Sequence, residues 1–336
     1  MAAAAVDSPL EHSFENGLLP TKLRANRGTI HQDRLGWLKP TPYEVRERLE
    51  HDGYVWIKGL LPREDVLEMR RHFFSQFDGT GLLKPGTSHV DGIYNSNDDV
   101  TIHRGVGGGN PAGEEELRRL TEAHTTEGYE KFTSHDRLRG MVRDIMGWKQ
   151  EVMLQRTLLR HSVPGGDSTG IHYDRLFLRG GEAYFLTAWV PIGDISSTGG
   201  GLYYLHDSVS LGEAMEKDYS ERAKDFAPEQ KINAFNQNMG ATGYLADHPD
   251  HFTSEHDLVA KKEGWSQDRY KWLVGEFEAG DVILHHPSMI HGSCGNDDPE
   301  GKIRLSTDLR FYDKADFDRG AADNRWTKYW HVNDQL

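Results

Sequence analysis

Beyond Glu151 the chain consists of short β-rich runs separated by Gly, Pro and Ser. The runs are EVMLQRTLLR (151–160), EAYFLTAWVPI (182–192), GLYYLHD (201–207), WLVGEF (272–277) and DVILHH (281–286). No helical pattern stands between most of them, and short strands at such spacing are typical of all-β folds. This half of the chain is therefore predicted to form an antiparallel barrel or sandwich.

The first half of the chain has a different pattern. Residues 1–40 mix polar residues with Gly and Pro without clear periodicity, and we predict an extended arm there. From Thr41 onward we expect a helix, the strand YVWIKGLL, a second helix that begins at Pro62, and further helices near 114–123 and 134–146. We predict a single domain over 41–313, followed by a docking tail at 314–336.

A polar insertion interrupts the β-rich half at 211–270. Its Lys, Glu and Asp content cannot form a core, and loops this long inside a compact domain are usually functional or disordered. We expect it to fold over an active site as a lid, with a subunit contact as the alternative.

Composition narrows the classes of protein to consider. The 39 Lys and Arg residues against 53 Asp and Glu residues give a net charge of −14, which argues against a nucleic-acid partner. No apolar run is long enough for a membrane helix. The single cysteine, Cys294, excludes an intrachain disulfide. The N-terminal alanine run lacks a basic flank, so we expect a cytoplasmic protein.

Histidine is abundant, with 18 in the chain, so one histidine is weak evidence for a metal site. Four His-x-Asp triplets begin at His31, His89, His172 and His248. In a strand, residues i and i+2 project from one face, so such a pair can offer nitrogen and oxygen to one ion. Only His172 and Asp174 lie in the β-rich half. A second histidine from a distant strand would complete a face suited to non-heme Fe(II) oxygen chemistry.

Two residues downstream are candidates to complete this site. GDVILHHPSMIHGSCGN (280–296) predicts a strand, a proline turn and then His291, and Arg304 follows thirteen residues later in a β-like run. A guanidinium can pair bidentately with a carboxylate. Arg304 therefore suits a dicarboxylate cosubstrate.

The order of these motifs resembles the phytanoyl-CoA dioxygenase family of Fe(II)- and 2-oxoglutarate-dependent oxygenases. After H-x-D come W-x-P-x-x-D (189–194), a Gly-rich turn (199–201), G-D-x-x-x-x-H-P-x-x-I-H-G-S (280–293) and R-x-S (304–306). The resemblance implies a mainly β fold with flanking helices, a double-stranded β-helix (jelly roll, cupin-like). It also implies that His172, Asp174 and His291 ligate iron and that Arg304 binds the distal carboxylate of 2-oxoglutarate.

Two features depart from the family pattern. Where many members read N-G-x-L-x-x-x-P-G-S-H, this chain has TGGGLYYLHDS (198–208), so nothing about CoA binding is carried over. The insertion at 211–270 is also longer than expected of the family's hydroxylases. Both departures fall where substrate would be admitted.

Other residues are candidates with a structural alternative. Ser293 could hydrogen-bond the cosubstrate or stabilise a turn, and Thr187 and Gln155 could line the cosubstrate pocket or belong to the core. Trp189 shares a strand face with Thr187 and is a candidate substrate contact. Arg175 could bind an anionic or polar substrate group or form a surface salt bridge.

Adjacent His285 and His286 compete with His291 for the role of second histidine ligand. The family pattern places the ligand after the proline turn, which favours His291. If the strand continues to His286, only one of the two adjacent histidines can face inward. We expect His286 to support the site from behind or to belong to the core.

We expect a 2-oxoglutarate-dependent dioxygenase that consumes O2, releases succinate and CO2, and oxidises a C–H bond of a small organic metabolite. Hydroxylation is the default; desaturation, cyclisation and epimerisation are alternatives found in secondary metabolism. The rival is a jelly-roll metal protein that binds a ligand or isomerises it without 2-oxoglutarate. The expected partner is a small-molecule substrate, with no nucleic acid and no membrane, and a homodimer is left open.

Overall fold

The computed structural model describes residues 21–22, 42–105, 112–178, 180–222, 224–225, 245 and 272–331. Most of the predicted arm at 1–40 and most of the predicted lid at 211–270 lie outside the described residues. The lid, the arm and the domain boundaries therefore stay predictions.

Helices precede the β-rich half and flank it. They are α1 (Pro42–Asp52), α2 (Arg63–Ser75), α3 (Glu114–Ala123), α4 (Glu127–Thr133), α5 (Asp136–Met146), α6 (Val209–Arg222) and α7 (Lys314–Asp318). α2 follows Pro62 and buries Val66, Met69 and Phe73 at helical spacing. None of the described helices is long and apolar enough to cross a membrane.

The strands form two sheets. They are β1 (Thr21–Lys22), β2 (Tyr54–Ile57), β3 (Glu151–Met153), β4 (Leu158–Ser162), β5 (Phe185–Pro191), β6 (Leu202–Leu205), β7 (Trp272–Val274), β8 (Val282–His285), β9 (His291–Ser293) and β10 (Arg304–Asp313). One sheet has the order β1-β7-β6-β9; the other has the order β2-β8-β5-β10-β3, with β4 also paired to β10. Every pairing is antiparallel except that of β1 with β7. The predicted mainly antiparallel architecture with flanking helices is confirmed.

The run 151–160, predicted as one strand, is two strands in the structure. β3 and β4 both pair with β10 but are separated by irregular residues. Backbone bonds from Leu154 to Arg310 and from Arg156 to Trp326 keep this connection against the sheet.

β10 separates an apolar layer from a polar one. Because successive side chains project to opposite faces of a sheet, Leu305, Leu309 and Phe311 join the core shared with the helices. The intervening residues on the opposite face are buried and polar: Arg304, Ser306, Asp308 and Arg310. A polar buried face in the middle of a sheet marks where a site is built.

The described part of the C-terminal tail packs on the domain. Trp326 and Trp330 are both buried. The Trp330 ring stacks on His124 of the helical layer, with 4.9 Å between ring centroids. Burial of these two large rings attaches the tail to the core.

Buried His124 links the end of α3 to β4. Its Nδ1 donates to the Leu120 carbonyl at 2.7 Å, and its Nε2 accepts from the backbone N–H of Leu159 at 2.9 Å. Burial lowers the pKa of His124 to about 4 from 6.5. A protonated ring could not accept from Leu159, so the folded chain holds this histidine neutral.

We expect the free energy of unfolding to fall as the pH drops from 6.5 to 4. In that window the unfolded chain binds a proton on His124 and the folded chain does not, so stability rises with pH. The pKa difference corresponds to roughly 3 kcal/mol. Burial likewise lowers the pKa of His172 and His286 to about 4, so His124→Gln should reduce this pH dependence without abolishing it. Urea unfolding at pH 7 and pH 5 measures how the free energy of unfolding changes with pH. An identical change in His124→Gln would contradict the assignment of this pH dependence to His124.

Candidate metal centre

Three predicted ligands meet between the two sheets. The backbone of His172 exchanges two hydrogen bonds with that of His291, at 2.9 and 2.8 Å, which aligns the H-x-D segment with β9. Asp174 opens a 3-10 turn, Asp174–Leu176, directly after this bridge. One ligand atom from each of the three residues lies within 4.8 Å of the others, and all three are buried.

Backbone carbonyls set the orientation of both histidines. Nδ1 of His172 lies 2.9 Å from the Gly170 carbonyl, and Nδ1 of His291 lies 2.9 Å from the Met289 carbonyl. A carbonyl only accepts, so each Nδ1 carries the proton and Nε2 keeps its lone pair. The two Nε2 atoms are 3.7 and 3.9 Å from Oδ1 of Asp174. All three donors therefore point at one position.

The protonation states match what a metal requires. Burial lowers the pKa of His172 to about 4 and that of His291 well below its ordinary value. Burial by itself would raise the pKa of Asp174, but Arg310 and His285 outweigh it and hold that pKa well below the ordinary value. The site thus offers two neutral imidazoles and one carboxylate, the deprotonated forms in which ligands bind metals.

Residues behind Asp174 fix the direction of its carboxylate. Arg310 Nη2 lies 3.2 Å from Oδ1, and His285 Nε2 lies 3.2 Å from Oδ2. Thr187 donates its hydroxyl to the same Oδ2. Tyr204 in turn contacts Nδ1 of His285 at 3.1 Å. Such partners are what holds a metal-ligating carboxylate in place.

The supporting histidine is His285 rather than His286, and this corrects the sequence prediction by one residue. His285 lies opposite Thr187 in the register of β8 with β5, so its side chain faces the site. His286 follows the strand and points away, with its ring 5.2 Å from that of Tyr184. Alternation of side chains along the strand gives the two neighbours opposite directions.

Arg304 is a buried cation with an unused donor. Its Nη1 donates to Ser306 at 2.7 Å, while Nε has no hydrogen-bond partner among the described residues. Burial, and then the charge of Arg160, lower the pKa of Arg304 to about 10, so it stays charged at neutral pH. Arg160 is paired with Asp308 at 2.8 Å and donates to Thr169 at 2.9 Å. An anionic ligand beside Arg304 would pair its unused donor, because a buried polar group without a partner is costly.

Two other predicted residues contact the ligand segments. Ser293 accepts a hydrogen bond from the backbone of Thr169 at 2.7 Å and so ties β9 to the segment before His172. This contact corresponds to the stabilising alternative for Ser293. Thr187, predicted to line the cosubstrate pocket or to belong to the core, is buried and donates a hydrogen bond to Asp174.

The remaining predicted residues lie elsewhere. Trp189 packs edge-on against Phe277, with 4.8 Å between ring centroids, and belongs to the core between the sheets. The Arg175 guanidinium donates to the Ala183 carbonyl at 2.9 Å. Gln155 is exposed on the irregular connection between β3 and β4, so its assignment to the buried pocket is corrected.

The competing H-x-D triplets do not form a comparable cluster. His89 pairs with Asp78 at 2.8 Å, and Asp91 hydrogen-bonds within its own turn. The triplets at His31 and His248 lie outside the described residues. In the described part of the chain, the group at His172 is the one set of three or more ligands close enough for a metal.

Comparisons with known proteins show a likeness of fold. No curated protein sequence gives a significant match. EctD from S. alaskensis, in its apoform, is 14% identical with a TM-score of 0.50 over 94% of this chain and 88% of that chain. The non-heme α-ketoglutarate-dependent carbocyclase SnoK from nogalamycin biosynthesis is 16% identical with a TM-score of 0.47, over 82% and 86%. At these identities the likeness is one of fold.

The sequence itself matches a family model. The model for phytanoyl-CoA dioxygenase (PhyH) covers residues 49–302, which include His172, Asp174 and His291 and end just before Arg304. The assignment of Arg304 therefore depends on its burial and contacts and not on this match. Because the match spans well over half of the sequence, the chain belongs to the phytanoyl-CoA dioxygenase family.

Proposed function

We propose that the chain is an Fe(II)- and 2-oxoglutarate-dependent oxygenase that oxidises a C–H bond of a small organic metabolite. The observation that carries the proposal is the convergence of two neutral histidines and one ionised aspartate in a buried site. A two-histidine, one-carboxylate set with open positions is the donor set of non-heme Fe(II) oxygenases.

The strand order supports a double-stranded β-helix as the finer fold. Along the chain, β4 lies in the larger sheet, His172 bridges to the smaller one, and β5 returns to the larger. β6 and β7 lie in the smaller sheet, β8 in the larger, β9 in the smaller and β10 in the larger. Such alternation between two sheets is how a jelly roll winds.

The residues fit both cofactors. His172, Asp174 and His291 would hold the iron, and Arg304 with Ser306 would hold the distal carboxylate of 2-oxoglutarate. When bound, iron with 2-oxoglutarate and O2 supplies an oxidative decarboxylation that yields succinate and CO2 and is coupled to C–H oxidation. The chain itself orients and keeps ionised the Asp174 carboxylate, and its two packed sheets exclude bulk water from the site.

The type of oxidation is proposed from the sequence. Retention of Asp174 argues against a halogenase of this class, in which loss of the carboxylate opens a position for chloride. Hydroxylation is the default, with desaturation, cyclisation or epimerisation as alternatives. A small-molecule substrate, a cytoplasmic location and the option of a homodimer stay predictions.

Anaerobic addition of 2-oxoglutarate to the Fe(II)-loaded protein tests the proposal. We expect a weak visible charge-transfer band, followed by succinate once O2 is admitted. If iron binds and no band or succinate forms, the rival metal protein that works without 2-oxoglutarate is favoured.

A further inference from the structure

A second buried arginine lies beside the metal ligands, and the proposed cosubstrate does not account for it. Arg310 shares the inner face of β10 with Arg304 and is 3% exposed. Six residues of strand separate the backbones of the two arginines by about 20 Å. The two guanidinium groups have different partners, Ser306 for Arg304 and Asp174 for Arg310.

Arg310 has more donors than partners. Its Nη2 contacts Asp174 at 3.2 Å, but its Nε and Nη1 are buried without hydrogen-bond partners within the described parts of the chain. Buried donors left unpaired carry a desolvation penalty. A ligand that supplies acceptors would remove it.

A third donor of the same kind lies next to Arg310. The Arg310 guanidinium lies 5.8 Å from the centre of the Trp326 ring, and Trp326 Nε1 is likewise buried with no hydrogen-bond partner among the residues described. Arg156 lies over the same ring at 4.7 Å. Arg310 and Trp326 thus present unpaired donors beside positive charge, which together select an acceptor with negative charge.

The carboxylates that face Arg310 already have other cations. They are Asp174 and Asp308. Asp308 is paired with Arg160, and Asp174 would give its charge to the iron in the proposed function. With 2-oxoglutarate on Arg304, the anion paired with Arg310 is Asp174, which Arg310 would share with the iron.

We propose that Arg310, with the indole N–H of Trp326, binds a carboxylate of the organic substrate, so that the enzyme acts on an acid. This inference rests on the proposed function, because it assigns Arg304 and not Arg310 to the cosubstrate. Trp326 comes from the C-terminal segment, so that segment contributes to substrate recognition. A carboxylate fits because its two oxygens match the donors of a guanidinium.

Calorimetric titration of the full chain tests the charge preference. The protein is loaded with Zn(II), which is redox-inert, and with 2-oxoglutarate, and is then titrated with phenylacetate or with its neutral counterpart phenylacetamide. We expect phenylacetate to bind at least about 30-fold more tightly, the low end for a buried charged partner. Equal binding of the acid and the amide overturns the proposal.

Variants test whether Arg310 and Trp326 cause the preference for the acid over the amide. Arg310→Gln should bring the two affinities to within about threefold of each other, because the charge that distinguishes them is gone. Trp326→Phe keeps the ring over both arginines and removes one donor, so it should weaken phenylacetate by about fivefold. The phenylalanine variant keeps the test decisive if Arg310→Gln does not fold. An undiminished preference in folded Arg310→Gln, or an unchanged affinity for phenylacetate in Trp326→Phe, contradicts the assignment.

Binding of 2-oxoglutarate separates this inference from the proposed function. With the metal site saturated, Arg310→Gln should weaken 2-oxoglutarate less than Arg304→Gln does, because Arg310 contacts the metal ligand Asp174 and Arg304 is the residue assigned to the cosubstrate. The reverse pattern would make Arg310 the cosubstrate residue and overturn the inference alone. If the wild-type protein binds no 2-oxoglutarate, the proposed function fails, and titration of phenylacetate without 2-oxoglutarate still tests Arg310.

Discussion

Replacement of His172 by Ala is expected to abolish tight binding of Fe(II) and the formation of succinate while the domain stays folded. Loss of a residue behind a metal ligand typically costs about 10- to 100-fold in affinity, and loss of the ligand itself should cost at least as much. The variant loses the side-chain hydrogen bond to the Gly170 carbonyl, while the backbone hydrogen bonds between His172 and His291 are kept. Anaerobic Fe(II) titration and a succinate assay measure the two effects.

Replacement of Asp174 by Ala is expected to cost stability as well as metal. Its carboxylate is held by Arg310, His285 and Thr187. Removing one partner of a buried ion pair costs about 3–5 kcal/mol, because the remaining charge stays buried. Asp174→Asn keeps the shape and one acceptor oxygen, so it should remove the charge with less damage to the fold. In thermal unfolding without metal, Asp174→Ala should have a lower melting temperature than both Asp174→Asn and His172→Ala.

The matched controls are another H-x-D triplet in the same chain. His89→Ala and Asp91→Ala should leave Fe(II) affinity unchanged, since these side chains pair with Asp78 and within a turn. Succinate formation above a few per cent of wild type in both His172→Ala and Asp174→Asn would contradict the assignment of the metal centre.

The sequence predicted part of the site correctly where the local pattern of β-rich runs matched the strands of the fold. His172 and Asp174 could be selected among four triplets because they alone lie among β-rich runs, and the structure brings them to His291. The alternation along β10 is a sequence signal that could have indicated Arg310, which was not among the predicted site residues. Polar residues at every second position, against Leu305 and Phe311 between them, place Arg304 and Arg310 on one inner face.

Where both faces of a strand are buried, the sequence could not predict which way each side chain points. β8 reads VILH and is buried throughout, so its residues show no polar alternation. His285 and His286 could then be told apart only by the register with β5. The prediction for Gln155 was wrong for a different reason. The strand predicted as continuous breaks after Met153, and Gln155 is exposed in the break.

Arg304→Ala is expected to weaken 2-oxoglutarate far more than iron. Loss of a charged partner from a buried carboxylate costs about 2–5 kcal/mol, or roughly 30-fold to several thousand-fold in affinity. Iron should bind nearly as before, because the guanidinium of Arg304 contacts Ser306 and not the metal ligands. Titration of 2-oxoglutarate into metal-loaded protein measures the loss, with Arg63→Ala as a control since Arg63 pairs with Asp194 at the surface. A change below about threefold would reassign the carboxylate to another residue such as Arg310.

Replacing Arg304 should lower the affinity for 2-oxoglutarate but should not lower the stability of the ligand-free protein. Arg304 is buried, has an unpaired Nε, and burial and the like charge of Arg160 outweigh the favourable charge of Asp308, so the free protein bears a net cost. Removing the charge relieves that cost, and we expect the ligand-free Arg304→Gln variant to unfold at the same temperature as wild type or higher. The wild-type protein should gain about 2.7 kcal/mol from 2-oxoglutarate at one hundred times its Kd, whereas the variant should gain almost nothing at the same concentration. Thermal unfolding with and without 2-oxoglutarate decides this. A variant that is destabilised when free and still stabilised by 2-oxoglutarate would identify Arg304 as a structural residue.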